Sequence, residues 1–542
     1  MSGESALESK WAELVMNDTV RMLQHSASLV KAWGKAQLPN GKTLAGLLTF
    51  EDISLWDISA VDLARLHVHK ALSSDSRPHP FAQKFKPYLS MAKHSALNLL
   101  RRRQGLRGCP DWPVEPVLLF LGFSAYIYRD VLQPVVTRLS RSKDIATVSL
   151  HGELRLHRTI PSDQEDRFQS IWQHWDHKVE ARLRALRHAL RATVAELHAI
   201  EALPQIIRDH GEPIWPKMQG IFDWFFRVYL SRLLPQVVIA RHILERHQPA
   251  LVISPDVADP RTRLYCLLAR QLGIPSLQIQ FGACGEDSIE WQFFVADHLA
   301  VWGEKAHKMM LSHDVPAKRI TVTGSPRHDS LVKVSVADVA RTRARLKVPE
   351  GNAMVLFASV YNLKAHGPLD LKVMELLSTM PRAIFQAIDQ IPGLYLVVKP
   401  HPEEDVEETR RLAGARSSIT FVDRHDDIRE LIKACDVFIS LGSTSTVDAL
   451  IANKLIICPT FPGWIGSEQF VKSEATLVPR SAEEVARCLQ MVADGSRARV
   501  LAELKPARQR FLRQWVYQAD GQASARIEAL AYQMANLGRS RK

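Results

Sequence analysis

Short runs of consecutive apolar residues recur between residues 113 and 460, each bounded by polar or glycine-containing loops. The first run, 117–121, is followed by a predicted helix over 131–139 and a second run over 145–150, which together predict a βαβ unit. Runs of this length without polar alternation are typical of parallel strands buried on both faces. The same pattern predicts strands over residues 250–253, 277–280, 298–302 and 320–323 and, after a charged helix over 337–346, over residues 354–358, 394–398, 419–422, 437–440 and 455–458.

Two successive sets of strands alternating with helices predict an α/β protein with two Rossmann-like, doubly wound lobes. Ligands of such sheets bind beyond the carboxyl ends of the strands, so we expect the active site in the cleft between the lobes. The predicted units are an N-terminal helical region (1–112), a first, acceptor-binding lobe (113–330) with a helical insertion at about 160–245, a second, nucleotide-sugar-binding lobe (331–500), and C-terminal helices (501–542).

The helical insertion is recognised by apolar residues that step by three and four positions, beginning with Trp172, Trp175, Val179 and Leu183. This spacing predicts one face of a long helix, and a partner helix is predicted over residues 221–244. We expect the two tryptophans to pack the helix against the body of the protein, with stacking on a sugar as the less favoured alternative.

The chain has 542 residues and a net charge of +12, part of it clustered at Arg101, Arg102, Arg103 and Arg107. A basic surface attracts anionic lipid, phosphorylated ligands or nucleic acid, and without zinc-finger or single-strand-binding signatures nucleic acid ranks last. The six cysteines form no CxxC pair, so spacing suggests neither a zinc site nor a redox motif. With no signal peptide or membrane-spanning stretch in the sequence, we expect a cytoplasmic protein that docks weakly on the inner membrane face.

The segment Gly442-Ser443-Thr444-Ser445-Thr446 follows a predicted buried strand and precedes a predicted helix. Gly442 permits a tight turn, and the hydroxyls and N–H groups at the start of the helix can hold an anion. A simple helix cap is the alternative, but capping requires neither a glycine nor four consecutive hydroxyls. The segment therefore predicts a phosphate site, although it lacks the lysine of a Walker A loop.

Lys399 and His401 follow another predicted strand of the same lobe, in the segment Lys399-Pro400-His401-Pro402. The two prolines restrict the backbone around His401, so the imidazole can be held against a leaving phosphate with Lys399 beside it. A surface loop is the alternative. Gly324, Ser325 and Arg327, at the junction of the lobes, form either a hinge or a further contact with the donor phosphate.

The first lobe must supply a base for an acceptor hydroxyl. The candidates are carboxylates that follow two predicted strands and that can equally be loop caps: Asp256, Asp259, Glu286 and Asp287. Gly122 and Ser124, after the first strand, are candidate acceptor contacts. The acidic runs 403–405 and 426–427 are interpreted as solvated helix starts, so we expect neither a bound metal nor another cofactor.

These segments, in this order, resemble the GT-B glycosyltransferases of bacterial surface polysaccharide synthesis, and in particular the Kdo-, sialic-acid- and CDP-glycerol-transferase-like enzymes. The resemblance spans roughly residues 113–500. It rests on Leu272-Gly273-Ile274-Pro275 through Gln280-Phe281-Gly282, Val301-Trp302-Gly303-Glu304, Val322-Thr323-Gly324-Ser325-Pro326-Arg327, Lys399-Pro400-His401-Pro402, and the segment from Gly442 to Thr446 with Asp448-Ala449-Leu450.

The resemblance implies a metal-independent, inverting transfer of a sugar from a CMP-, CDP- or UDP-linked donor to a capsule, lipopolysaccharide or glycoprotein acceptor. It assigns binding of the donor phosphate to His401, Ser443, Thr444 and Ser445, and it makes the loop at Gly282 a candidate acceptor contact.

The chain departs from the pattern at two positions, because Phe281 stands where relatives often have histidine and Asp448 where many have glutamate. One alternative function is that of a non-hydrolysing UDP-sugar 2-epimerase, although the Asp-Ser-Gly-Gly type of loop of those enzymes is not found. The other is a catalytically inactive partner subunit of a polysaccharide assembly complex.

Overall fold

The computed structural model describes residues 20–72, 100, 103, 105, 108–152, 168–199, 203–255, 257–285, 288–332, 334–359, 371–401, 404, 406–460 and 468–537. Two parallel sheets form its frame. The first contains seven strands: β1 (Val117–Leu121), β2 (Ala146–His151), β3 (Phe168–Ser170), β4 (Leu251–Ser254), β5 (Ser276–Ile279), β6 (His298–Val301) and β7 (Ile320–Val322). The second contains five: β8 (Ala353–Ala358), β9 (Leu394–Lys399), β10 (Ile419–Phe421), β11 (Val437–Ser440) and β12 (Leu455–Ile457).

The strands lie in the order β7-β6-β5-β4-β1-β2-β3 in the first sheet and β10-β9-β8-β11-β12 in the second. All strands of the two sheets are parallel, and the order in which the chain adds them changes side once in each sheet, between β1 and β4 and between β8 and β11. This is the doubly wound arrangement. The predicted α/β class with two Rossmann-like sheets is therefore confirmed. β3 was not predicted, and it adds an edge strand inside the segment interpreted as a helical insertion.

Helices flank both sheets. The longer ones are α1 (Leu55–Leu72), α2 (Gln133–Leu139), α3 (His177–Ala199), α4 (Trp215–Trp224), α5 (Leu230–His247), α6 (Pro260–Gln271), α7 (Glu304–Ser312), α8 (Val336–Arg345), α9 (Leu371–Gln390), α10 (Val406–Ala413), α11 (Ile428–Ala434), α12 (Ser445–Ile451), α13 (Glu468–Ser473), α14 (Ala482–Ala493), α15 (Arg497–Trp515) and α16 (Ala523–Met534). Helical turns also cover residues 20–35. Shorter helical elements are Leu44–Leu47, Ala125–Ile127, Tyr128–Leu132, Ile171–His174, Leu203–Ile206, Phe225–Tyr229, Ile289–Phe293, Ala317–Arg319 and Pro326–Leu331, and residue pairs 49–50/53–54 and 208–209/212–213 form two small hairpins.

The alternating residues of β1 face two different cores. Val117, Leu119 and Leu121 pack in one cluster with the N-terminal helices and with α3 to α6, and Trp172 is fully buried in that cluster. The predicted packing role of the tryptophans is thus confirmed. The described N-terminal residues share a hydrophobic core with the first sheet and cover one of its faces.

The opposite face of β1, formed by Leu118 and Phe120, packs against α2 and against the C-terminal helix α16 through residues such as Ile527. The preceding helix α15 packs in the second lobe, where Phe511 and Trp515 join the core of that sheet. The C-terminal helices therefore separate, because the chain crosses back from the second lobe to the first after α15.

The segment that leads from α15 back to the first lobe packs tightly against Gly303, at the start of α7. A Cβ atom on Gly303 would lie 2.7 Å from the backbone carbonyl of Trp515, and the N–H of Tyr517 donates to the carbonyl oxygen of Trp302 (2.8 Å). Steric space rather than backbone conformation therefore requires glycine at position 303. Among the residues that the structure describes, no helix combines the length and apolar character needed to cross a membrane.

We expect Gly303→Ala to destabilise the protein by about 1–3 kcal/mol, because the added methyl group meets backbone that cannot rotate away. Gly220→Ala is the matched control, since Gly220 lies in α4 with open space around it. That change should stabilise the protein by about 0.5–1 kcal/mol. Denaturant unfolding of both variants tests this, and a Gly303→Ala protein as stable as wild type would contradict it.

Candidate active site

The polar segments singled out in the sequence meet at the switch point of the second sheet. The segment Gly442–Thr446, which we call the Ser/Thr loop, follows β11, and the segment beginning at Lys399 and continuing through His401 follows β9. Only β8 separates these strands. Two strand spacings amount to about 10 Å, so both segments lie within reach of one bound nucleotide.

The Ser/Thr loop is shaped by a serine that the sequence analysis did not identify. Gly442 has a φ of 98°, in the left-handed region that favours glycine. Ser440, the last residue of β11, accepts hydrogen bonds through Oγ from the N–H groups of Gly442 (3.2 Å) and Ser443 (3.0 Å). The hydroxyls of Ser440, Ser443 and Ser445 then form a chain with contacts of 2.9 and 2.6 Å. Two of the amides expected to hold an anion are therefore used by Ser440 in this structure, whereas the hydroxyls are brought together.

Thr444 connects the Ser/Thr loop to the first lobe. Its Oγ1 accepts a hydrogen bond from the N–H of Ala283 (3.3 Å), and a Cβ on Gly282 would lie 3.4 Å from the same oxygen. Gln280 shapes this first-lobe loop by donating to the carbonyl oxygen of Gly282 (2.8 Å) and accepting from the N–H of Trp302 (2.8 Å). Gly282 thus lies against the Ser/Thr loop, and its contact with an acceptor stays a prediction.

The backbone at His401 is held by Glu404. One oxygen of the Glu404 carboxylate accepts from the N–H of His401 (3.0 Å), and the other accepts from Ser359 Oγ (2.8 Å) and Thr409 Oγ1 (2.5 Å). Burial raises the pKa of Glu404, and these three hydrogen bonds act in the opposite direction. The expectation of a solvated helix start is therefore wrong for Glu404, which is 2% exposed. The other acidic residues of that run, Glu403 and Asp405, lie outside the described residues.

Lys399 ends β9 beside this segment and is almost fully buried. Its Nζ donates to the carbonyl oxygens of Pro400 (2.9 Å) and Arg424 (2.7 Å). Burial, reinforced by the positive charge of Arg129, lowers the pKa of Lys399 to about 8. The charge of this lysine is therefore sensitive to pH in the weakly alkaline range.

Arg327 lies at the centre of a buried ion network between the lobes. Its guanidinium donates to both oxygens of Asp448, at 2.5 to 3.0 Å, and to Asp130 (2.5 Å). Asp130 follows β1 in the first lobe, and its other oxygen lies 3.4 Å from Arg429 of the second lobe. Burial alone would lower the pKa of Arg327, but the carboxylates of Asp448 and Asp130 outweigh it and the pKa is raised. Arg327 therefore joins the lobes, and its predicted contact with donor phosphate stays a prediction.

Polar atoms with remaining hydrogen-bonding capacity surround this network. Ser325 Oγ, both ring nitrogens of His328 and Thr446 Oγ1 are buried and have no hydrogen-bond partner in the described part of the chain. Burial, together with Arg327, lowers the pKa of His328 to about 3, so the ring is neutral. Gly324, with a φ of 77°, lies against Ala523 of α16, and the hinge interpretation of this segment stays a prediction.

The candidate acceptor contacts Gly122 and Ser124 follow β1, at the switch point of the first sheet. A Cβ on Gly122 would lie 2.9 Å from Tyr128 and 3.1 Å from Phe168, so packing inside the lobe accounts for this glycine. Ser124 precedes the short helix Ala125–Ile127 and makes no capping hydrogen bond through its side chain.

Of the four candidate bases, only Asp259 lies among the described residues. Asp259 is the N-cap of α6, where it accepts from the N–H of Arg261 (2.8 Å) and pairs with the Arg261 guanidinium (2.6 Å). The loop-cap alternative therefore describes Asp259. Asp256, Glu286 and Asp287 lie outside the described residues, and the assignment of Asp256 and Glu286 as catalytic stays a prediction.

Two parallel Rossmann-like sheets joined at a polar junction define the two-lobed GT-B class. Residues 295–460, less than half of the chain, match the family model described as CDP-Glycerol:Poly(glycerophosphate) glycerophosphotransferase. The predicted class is thereby confirmed: the chain is an enzyme, a transferase of the glycosyltransferase type that uses a nucleotide-linked donor in surface-polymer synthesis. No curated protein sequence matches the chain significantly.

Solved structures with similar chains include the Staphylococcus aureus MnaA–UDP complex, with 13% identity, a TM-score of 0.48, and coverage of 79% of this chain and 99% of that one. The wall teichoic acid polymerase TagF has 11% identity, a TM-score of 0.48, and coverage of 84% and 98%. The Neisseria meningitidis UDP-GlcNAc 2-epimerase bound to UDP-GlcNAc has 13% identity, a TM-score of 0.46, and coverage of 78% and 100%. All three TM-scores are below 0.5, so the fold assignment rests on the two sheets themselves.

We expect Arg327→Met to destabilise the protein by about 3–5 kcal/mol, because it leaves two buried carboxylates without their shared cation. Arg341→Met is the matched control, since Arg341 forms an exposed pair with Asp338 on α8, and such a pair contributes about 0–1 kcal/mol. Chemical denaturation of the two variants tests this. Indistinguishable losses would show that the network does not stabilise the folded state.

We expect nucleoside diphosphate binding to weaken as the pH rises above 8, by up to tenfold per pH unit, because Lys399 loses its charge. The effect of pH on folding stability has the opposite sign. The pKa is lowered from 10.5 to about 8, so the unfolded state binds more protons between these values and the contribution of Lys399 to stability rises through that window. Calorimetric titration of wild type and Lys399→Met at pH 7 to 9 tests the binding effect. An equal pH slope in both proteins would contradict it.

Proposed function

We propose that the chain transfers a group from a CDP-linked donor to a hydroxyl of a bacterial surface polymer, at the junction of its two lobes. The family match favours a cytidine nucleotide among the CMP-, CDP- and UDP-linked donors expected from the sequence, because the name of that family specifies CDP-glycerol. The observation that carries the proposal is the Ser/Thr loop, which lies in the matched segment and at the switch point of the second sheet.

Donor binding in this proposal uses residues at the carboxyl ends of β9 and β11. The hydroxyls of Ser443, Thr444 and Ser445 bind the donor phosphate after a tight turn at Gly442, and Lys399 adds a positive charge from the end of β9. Thr446, which is fully buried, supports the loop from behind. Gly324, Ser325 and Arg327 then act at the hinge, where Arg327 orients α12 through Asp448. The Ser/Thr loop is thereby held in position before the donor arrives.

His401 stabilises the leaving nucleotide. The acceptor oxygen forms a bond to the transferred group while the bond from that group to a nucleotide phosphate oxygen breaks, and the nucleotide departs with the electron pair. The hydroxyl proton passes to a first-lobe carboxylate, for which Asp256 and Glu286 are the candidates. Negative charge grows on the phosphate oxygen, and a hydrogen bond from the His401 ring is therefore stronger in the transition state than in the ground state.

The acceptor in this proposal is a growing surface glycan or poly(glycerophosphate)-type polymer at the inner face of the cytoplasmic membrane. Arg103 is exposed, and its basic neighbours Arg101, Arg102 and Arg107 lie outside the described residues. Each basic residue near an anionic membrane contributes about 1 kcal/mol, so this cluster supports weak, reversible docking. The proposal keeps the expectation that the transfer requires no metal ion.

We expect His401→Ala to lower turnover by about a hundredfold or more with a smaller change in KM, because the ring acts mainly in the transition state. The assay measures nucleotide release from a panel of CDP-, CMP- and UDP-linked donors with poly(glycerophosphate) and lipopolysaccharide acceptors, with and without EDTA. His198→Ala, a partly exposed histidine of α3 paired with Asp223, is the matched control and should keep wild-type turnover.

Near wild-type turnover of His401→Ala would reject the catalytic role, as would a fall in melting temperature large enough to explain the loss. Isomerisation of a UDP-sugar without an acceptor would favour the 2-epimerase alternative. Absence of both activities with every donor would favour the inactive-subunit alternative. Loss of turnover in EDTA that magnesium or manganese restores would contradict metal-independent transfer.

A further inference from the structure

A second polar cluster lies in the first lobe, outside the residues of the candidate active site. Cys109, His174 and His247 each offer one ligand atom, and these three atoms lie within 4.8 Å of one another. Cys109 Sγ is 3.0 Å from His174 Nδ1. Sequence spacing did not indicate this cluster, because 65 residues separate Cys109 from His174 and no local motif connects them.

His174 is buried and His247 is half-buried, and both retain hydrogen-bonding capacity. His174 is 0% exposed, and Nε2 of His174 and Nε2 of His247 have no hydrogen-bond partner among the described residues. A buried polar group without a partner costs about 1–3 kcal/mol. A neutral imidazole is the form of histidine that binds metal ions.

Neighbouring side chains fix the orientation of the cluster. The His247 ring stacks on Trp112 with centroids 4.2 Å apart, and the His174 ring meets the His247 ring edge-on at 5.3 Å. Trp112 is itself held by a hydrogen bond from Nε1 to Gln169 (2.8 Å). The rings therefore have little rotational freedom, as the histidine ligands of metal sites require.

A surface cavity of about 620 Å³ reaches the cluster. Cys109 lines it, together with the carboxylates of Asp176 and Glu180. Arg184 also lines the cavity, which provides both an entry path for a cation and room for a water molecule beside the thiol.

We propose that Cys109, His174 and His247 bind a divalent zinc-type cation in a tetrahedral site, with a water molecule from the cavity as fourth ligand. One thiolate and two imidazoles are the borderline-soft donors that zinc prefers. Tetrahedral zinc with these donors places neighbouring ligand atoms about 3.5 Å apart, so small shifts of the three side chains complete the site.

The cation would fasten three segments that are distant along the chain. Cys109 lies before β1, His174 ends the short helix after β3, and His247 ends α5. These segments belong to the layer that packs on the first sheet, so the site would link parts of that layer. It is independent of the transfer chemistry at the lobe junction.

The test measures zinc bound to the full-length protein after dialysis against a weak chelator, and then the spectrum of the Co²⁺-substituted protein. We expect one zinc per chain and a cobalt–thiolate charge-transfer band. Zinc removal should lower the melting temperature, whereas nucleotide binding at the lobe junction should be unchanged. A wild-type protein that retains no zinc and shows no thiolate band with Co²⁺ would overturn the proposal. This outcome does not depend on whether any variant folds.

Cys109→Ala and His247→Gln should each weaken zinc binding at least a hundredfold and abolish or reduce the cobalt band. Cys488→Ala is the matched control, because Cys488 is a partly buried free cysteine of α14, and it should retain the metal. Zinc that persists in Cys109→Ala but disappears in His210→Ala would assign binding to the more exposed cluster of His25, Asp209 and His210 and would overturn the proposal.

Discussion

The buried pairing of Arg327 with Asp448 and Asp130 is the interaction on which the arrangement of the lobes depends. Removing charged groups from water costs several kcal/mol per ion, and only near-complete pairing recovers that cost. Asp130 belongs to the first lobe, Asp448 to α12 of the second, and Arg327 to the segment between them. Moving the lobes apart would break at least one of these pairs.

The same pairing determines where the Ser/Thr loop lies. Asp448 is in the first turn of α12, directly after the loop, so the guanidinium that fixes Asp448 also fixes the loop hydroxyls. Thr444 makes a second link through the N–H of Ala283. Lobe arrangement and donor site are therefore parts of one structure, and a group that alters the ion network is expected to alter the phosphate contacts as well.

Most strands were predictable because a buried parallel strand is an uninterrupted apolar run, as in Val117–Leu121. β3 was missed because it has three residues with the polar Gln169 at its centre, and an edge position needs no second buried face. The return of α16 to the first lobe was also missed. Helical periodicity shows which face of a helix is buried, but it carries no information about which lobe buries that face.

The site was predictable where its chemistry is local. The glycine and hydroxyls of the Ser/Thr loop and the prolines around His401 leave a sequence signature, and their positions at neighbouring strand ends follow from a parallel sheet. Ser440 and Glu404 were not predicted as organisers of these segments, since a serine inside a strand and a glutamate in an acidic run have no distinctive pattern. The Arg327–Asp448 pair joins residues 121 positions apart, and only the folded chain brings them together.

The position of bound cytidine diphosphate in a crystal structure of the complex tests most directly whether the second lobe holds the donor. The account predicts phosphate oxygens within hydrogen-bonding distance of the Ser443 and Ser445 hydroxyls, with the His401 ring facing the same phosphate. Phosphates bound wholly in the first lobe, with the Ser/Thr loop left without contact to the nucleotide, would contradict it.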